Sequence, residues 1–240
     1  MATGASETLT FDHVHLSAPD QAKAAAWYVQ HLDAMPGVSP ERVLVGDRLW
    51  LIFYQTAGTP PSRLGAIDSI GLSVPDDNAV DAVIRRLEHA GARVRTPTRD
   101  LPGLYRAGTV EDPWGASLTI LHDPDVRGLH HVHLRIPDPE SAFAWYLEMF
   151  GGARGRLKGQ LDGLQYGGVW LLADRGESKP SAGHAIDHIA WRTPQLDTKV
   201  VELKSKGVAF TMEPRQFNGT VRISFVEGPA GTRIELLQRA

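Results

Sequence analysis

The feature that most constrains this chain is that it repeats itself. Displaced by roughly half its length, Phe11-Asp12-His13-Val14-His15-Leu16 falls on Leu129-His130-His131-Val132-His133-Leu134, and Trp27-Tyr28 falls on Trp145-Tyr146. Further along, Ala66-Ile67-Asp68-Ser69-Ile70-Gly71 matches Ala185-Ile186-Asp187-His188-Ile189-Ala190, and Asp112-Pro113-Trp114-Gly115 matches Gly228-Pro229-Ala230-Gly231. Order is kept throughout, so the two halves are duplicates and must fold alike. The stretch 123–128 is rich in turn formers and lacks apolar periodicity, which predicts a joint between two modules, 1–124 and 128–240.

Within each half the pattern runs strand, helix, several strands, and then the same again. Helices are predicted near 20–32, 77–89, 137–150 and 194–206. In the third, Asp138 can cap, Ala142, Trp145, Tyr146 and Met149 share a face, and Gly151-Gly152 stops the turn. The fourth carries Leu196, Val200 or Val201, and Leu203 on one side, with strands following near 208–212, 221–226 and 232–237. The expectation is an α+β fold of four βαβββ units.

Composition narrows the partners. With 240 residues, 42% hydrophobic and 22% charged, the chain has ample material for a globular core. A formal charge of -3 supplies no broad basic surface, so a small molecule is expected as partner rather than nucleic acid or an anionic membrane. The chain has no cysteine, so any metal must sit on nitrogen and oxygen donors. The first eight residues carry no basic-then-apolar leader and no apolar run reaches spanning length, which predicts a cytoplasmic enzyme with a frayed N-terminus.

His131, His188 and Glu235 fall at equivalent places in strand-like segments of the second half. Two imidazoles and a carboxylate on one face leave open positions, which suits Fe(II) and also Mn(II) or Zn(II); taken singly, each residue could equally be hydrogen-bonded within a sheet. His133 shares the face of His131 and is the candidate acid/base, although its counterpart His15 allows a common structural role. Arg192, four residues after His188, and Arg233, two before Glu235, can reach a carboxylate or enolate oxygen unless they lie at solvent-exposed strand ends. Tyr166 and Trp170 either line an aromatic pocket or belong to the core. Val221, Ile223 and Phe225 offer an apolar wall to a ring, and Asp187 is expected to face away from His188.

Four βαβββ units, first-strand histidines in Asp-His-Val and Asp-His-Ile contexts, and the ending Gly231-Thr232-Arg233-Ile234-Glu235-Leu236 together resemble the vicinal oxygen chelate superfamily. That family includes glyoxalase I, extradiol ring-cleaving dioxygenases, methylmalonyl-CoA epimerase and the bleomycin and fosfomycin resistance proteins. The likeness spans about 10–238 and is greatest to the two-module type I extradiol dioxygenases. It implies two modules, each a curved, partly open mixed sheet around a cavity. One divalent metal, Fe(II) with Mn(II) or Zn(II) as alternatives, is implied on His131, His188 and Glu235. The N-terminal module would lack a complete site, its equivalents being His13, Ser69 and Thr119.

The activity so implied is an extradiol-dioxygenase-like oxidoreduction of a catechol or other vicinal-oxygen molecule. The alternatives are a redox-neutral isomerase, epimerase or lyase of the glyoxalase type, and a resistance protein that sequesters a small molecule. A homo-oligomer is compatible with all three. The departures are specific: Phe225 stands where the dioxygenases carry a tyrosine, Leu172-Ala173-Asp174-Arg175 lies where they carry a histidine, and no histidine follows His188. The further glutamate of glyoxalase I is absent from the apolar segment 168–173.

Overall fold

The computed structural model describes residues 8–46 and 49–239; the opening segment, read from the sequence as frayed, lies outside them. The first quarter comprises β1 (Thr10–Ala18), α1 (Gln21–Leu32), β2 (Met35–Pro36), β3 (Arg42–Val45) and β4 (Leu49–Gln55). The second comprises β5 (Ile67–Ser73), α2 (Asp77–His89), β6 (Arg93–Asp100), β7 (Arg106–Glu111) and β8 (Ser117–Leu121). In the third come β9 (Gly128–Ile136), α3 (Pro139–Phe150), β10 (Ala153–Leu157), β11 (Leu161–Tyr166) and β12 (Val169–Arg175). The last holds β13 (Ile186–Arg192), α4 (Leu196–Ser205), β14 (Phe210–Asn218), β15 (Val221–Glu227) and β16 (Arg233–Arg239).

The helices form where local chemistry dictates. Asp20 and Asp76 cap α1 and α2 by accepting from the backbone N–H groups of Lys23 and Ala79. Val80, Val83, Ile84 and Leu87 give α2 one buried stripe at helical spacing. Pro139 opens α3, where its missing N–H costs nothing. On α4 it is Val200 that is buried, while Val201 is 69% exposed.

Two eight-stranded mixed sheets result, so the fold is α+β. Their orders are β14-β15-β16-β13-β1-β4-β3-β2 and β10-β11-β12-β9-β5-β8-β7-β6. The first sheet joins the first and last quarters and the second joins the two middle ones, so each sheet takes strands from both halves of the chain. The central contacts are antiparallel, β1 on β13 from Thr10↔Arg192 to Leu16↔Ile186, and β5 on β9 from Ile67↔Leu134 to Ser73↔Gly128. Read in reverse, the second sheet puts β9 where the first has β1, β5 where it has β13, β8 where it has β16 and β12 where it has β4.

Alternation along the central strands sends Val14, Ile70, Val132 and Ile189 into one continuous core, each fully buried. Trp191, also fully buried, packs against Phe11, Tyr146, Phe150 and Tyr166. Truncating such an aromatic costs about 3–5 kcal/mol, so this cluster is a main anchor of β13. The opposite face of β1 carries His13 and His15.

Candidate metal centre

Two β-bulges shape the first sheet's centre. Where β1 meets β13, register runs from Phe11↔Trp191 to His13↔Ala190, leaving Asp12 as the extra residue, and from His15↔His188 to Leu16↔Ile186, leaving Asp187. Each bulge turns an aspartate onto its neighbouring histidine. Asp12 Oδ1 lies 2.8 Å from His13 Nδ1, and Asp187 Oδ1 lies 2.5 Å from His188 Nδ1. A carboxylate accepts only, so both Nδ1 atoms carry the hydrogen, and each Nε2 is left to donate as an imidazolium N–H or to offer its lone pair to a metal. Both Nε2 atoms converge on one oxygen, Glu235 Oε2, at 3.2 Å from His13 and 3.1 Å from His188. Small Ala190 lies between His13 and Glu235 in the register and lets the two long side chains meet above it.

Groups this close need protons or a metal ion between them. Donors about 2.1 Å from a metal on adjacent octahedral positions are about 3 Å apart, which the geometry fits. His13, His15, His188 and Glu235, all buried, offer ligand atoms within 4.8 Å of one another. Burial works to raise the Glu235 carboxyl, but hydrogen bonds from His13 and His188 outweigh it and hold the group well below the usual carboxylate range. Burial works to lower His13, yet Asp12 and Glu235 raise it. Without a metal the cluster therefore draws in protons, which a metal would displace.

His15 differs from its neighbours. Its ring stacks on His188 at 4.2 Å and on Tyr54 at 4.5 Å, and its buried Nδ1 has no hydrogen-bond partner. Burial first, then the positive character of His188, His13, Arg42 and Arg233, pushes its pKa well down, so the ring is neutral. The aspartates are themselves braced: Arg239 donates to Asp12 at 2.6 Å and Arg233 to Asp187 at 2.9 Å.

Of the expected ligand trio, His188 and Glu235 come together and His131 does not. His131 lies on β9 in the other sheet, at the place that His13 holds in the first. Its Nδ1 is 2.8 Å from His130 Nδ1, and His130 Nε2 is 3.2 Å from Asp123. The ring settles over Gly71, where a Cβ would lie 2.1 Å from its Cε1. Ser69 and Thr119 occupy the positions of His188 and Glu235 there, so among the described residues His131 joins no ligand group. The module expected to lack a site thus contributes His13, because the sheet partner of β1 is β13 rather than β5.

Other expected residues are similarly redistributed. His133 sits in the second sheet, 3.2 Å from the Asp174 carboxylate, and cannot act at this centre. Arg192 is exposed at the end of β13 and lines a separate cavity with Thr10, Trp50 and Tyr166. Tyr166 itself is core, and Trp170 is half-buried beside His131 in the second sheet. Phe225 is near the centre, its ring edge-on to His188 at 4.9 Å, with Arg233 stacked 4.2 Å above it. Asp187, expected to face away, is instead the outer partner of His188. Sequence reasoning passed over Asp12, read His13 as the remnant of an incomplete site and His15 as the structural counterpart of His133; the signal for them was the Asp-His pair, present at 12–13 and 187–188 but replaced by His-His at 130–131.

A cavity of about 250 Å³ opens onto this cluster, lined by His13, His15 and Glu235 together with Ile52, Ile223 and Leu237. Fold and site together define a class: a duplicated βαβββ protein with a buried histidine–carboxylate centre in a curved sheet. The chain belongs to the Glyoxalase/Bleomycin resistance protein/Dioxygenase superfamily, whose family model matches residues 10–120 and again 128–236. A Synechocystis sp. protein named as a probable lactoylglutathione lyase is 28% identical over 123 residues, which is 46% of this chain and 94% of that protein. Glyoxalase I from Zea mays shares the fold with a TM-score of 0.74 at 15% identity, over 96% of this chain and 92% of the maize chain. A Bacillus subtilis protein provisionally described as a dioxygenase does so with a TM-score of 0.69 at 17% identity, over 98% and 86% of the two chains. Among the described residues no helix is long and apolar enough to cross a membrane.

Proposed function

We propose that this protein is a divalent-metal enzyme acting on a small molecule with two adjacent oxygens, and that it performs a redox-neutral proton transfer of the isomerase or lyase kind. The observation carrying this reading is His15, an imidazole with a buried, unpartnered nitrogen beside the convergent His13, His188 and Glu235. His13, His188 and Glu235 would hold the metal. When bound, it stabilises negative charge on chelated substrate oxygens. His15 takes a proton from the substrate atom next to those oxygens and returns it, while its stacks on His188 and Tyr54 keep the ring in place. Ile52, Ile223 and Leu237 keep water from one side of the cavity. The Synechocystis relative supports a lyase over about half of the chain. The cavity lies just below the range of about 300–1,000 Å³ usual for drug-sized ligands, so a glutathione adduct would project past Tyr54 and Phe217.

One observation favours oxygen chemistry instead. Three protein donors leave a third open coordination position, which an oxygen-consuming reaction needs and proton transfer does not. The inward residues of β4 are Trp50, Ile52 and Tyr54, so no second carboxylate fills it. Iron is the metal this reading requires. The two readings part under nitrogen: protein loaded with Mn(II) or Zn(II) is expected to turn over 2-hydroxy ketones or hemithioacetals without oxygen. Activity confined to Fe(II) protein with catechols, with one O2 consumed per turnover, would replace proton transfer by ring cleavage.

A further inference from the structure

We propose that Arg42 makes the cavity selective for substrates that carry a carboxylate close to the chelating oxygens. The inference rests on the metal-enzyme reading above and names its substrate class: small aromatic or branched acids with vicinal oxygens. Arg42 on β3 faces the cavity, and the register continues from Arg42 to Ile52, to His15 and to His188. Its side chain therefore lies on the same face as the candidate base and a candidate ligand.

What distinguishes Arg42 is that its donors are uncommitted. Arg233 and Arg239 are each bound by an aspartate of the centre. Arg42 makes no side-chain hydrogen bond among the described residues, and its Nε is buried without a partner. Its ionic neighbour, Glu41, is 3.7 Å away, beyond hydrogen-bonding distance, and is itself engaged by Ser39 Oγ at 2.6 Å. A buried unpaired donor is unfavourable, and a ligand acceptor relieves it.

The remainder of the cavity fits the same ligand. Gln21 adds an amide to the lining, whereas Tyr54, Phe217, Val221 and Leu237 supply apolar surface suited to a ring or branched chain. The charged lining residues are Glu41 and Glu235 against Arg42 and Arg239, which cancel; a bound divalent cation then leaves the cavity positive. An anionic substrate restores the balance, and guanidinium is the group whose fork matches a carboxylate.

The test is calorimetry on Zn(II)-loaded protein with two chelating probes, catechol and 3,4-dihydroxybenzoate, and with benzoate as the acid alone. Arg42→Gln is expected to weaken 3,4-dihydroxybenzoate about tenfold or more, as a lost charge-assisted hydrogen bond does, while catechol binding stays unchanged. Arg42→Lys should recover part of the difference, and circular dichroism should show both variants folded as the parent. Equal weakening of both chelators, or no change for the acid, would overturn the assignment. If benzoate binds in an Arg42-dependent manner and catechol does not bind at all, the carboxylate site stands and the metal-chelation reading falls. If none of the three binds, both fall.

Discussion

Asp12 and Asp187 accept from the Nδ1 atoms of His13 and His188, and that decides which nitrogen of each ring is left for a cation. His131 has a histidine before it instead, and a neutral imidazole cannot anchor a neighbour as an anion does. Replacing His13, His188 or Glu235 by alanine is therefore expected to abolish metal uptake in elemental analysis, and His131→Ala to keep the parental stoichiometry of one ion per chain. Metal loss in the His131 variant would restore the trio expected from sequence. Asp12→Asn should weaken binding by about 10–100-fold, the usual cost of losing an outer partner, as read by competition with a chromogenic chelator; unchanged affinity would reduce Asp12 to a structural role. This part of the site was legible in the sequence. The Asp-His pair occurs twice, at 12–13 and 187–188, and a reading that weighed the residue before each histidine would have chosen His13 over His131.

The elements themselves were legible because their signals are local. Asp76 caps and the spacing of Val80, Val83, Ile84 and Leu87 predict α2 over the span observed, and Gly151 ends α3 as expected. The choice of sheet partner is not local: β1 and β9 share His-Val-His-Leu at matching positions, and either could lie against β5 or β13. The bulged aspartates Asp187 and Asp68 are alike, and what differs is Asp12 in one sheet against His130 in the other, with His188 and Glu235 against Ser69 and Thr119. The second sheet thus retains the scaffold of a centre without its ligands. Installing Ser69→His, Thr119→Glu and His130→Asp together should build a second site on His131, raising the metal count from one to two per folded chain. A count that stays at one in a folded variant would show that the ring lying over Gly71 cannot turn to meet a cation.

Across the whole molecule the two sheets are tied by polar as well as apolar contacts. Tyr28 on α1 donates to Asp112, beyond β7, at 2.8 Å. Burial pushes the Asp112 carboxyl up to about 6, against the hydrogen bonds from the Ala116 backbone and Tyr28. Its folded value is thus raised above the unfolded one near 3.9, so its contribution is fully present below about pH 4 and is lost as pH rises through 6. A shift of two units corresponds to about 3 kcal/mol. Metal-free protein is expected to gain resistance to urea between pH 7 and pH 5, and Asp112→Asn to flatten that slope; an unaltered slope in the variant would assign the effect elsewhere. The pairing of the outer quarters also has a temporal side. On the ribosome β13 and β16, the sheet partners that complete the centre with β1, emerge only after β5 and β9, which can pair as soon as residue 136 is clear. On the metal-enzyme reading, a chain interrupted before β16 can build its middle sheet and would still hold no cation, so metal capture would report that synthesis has passed Glu235.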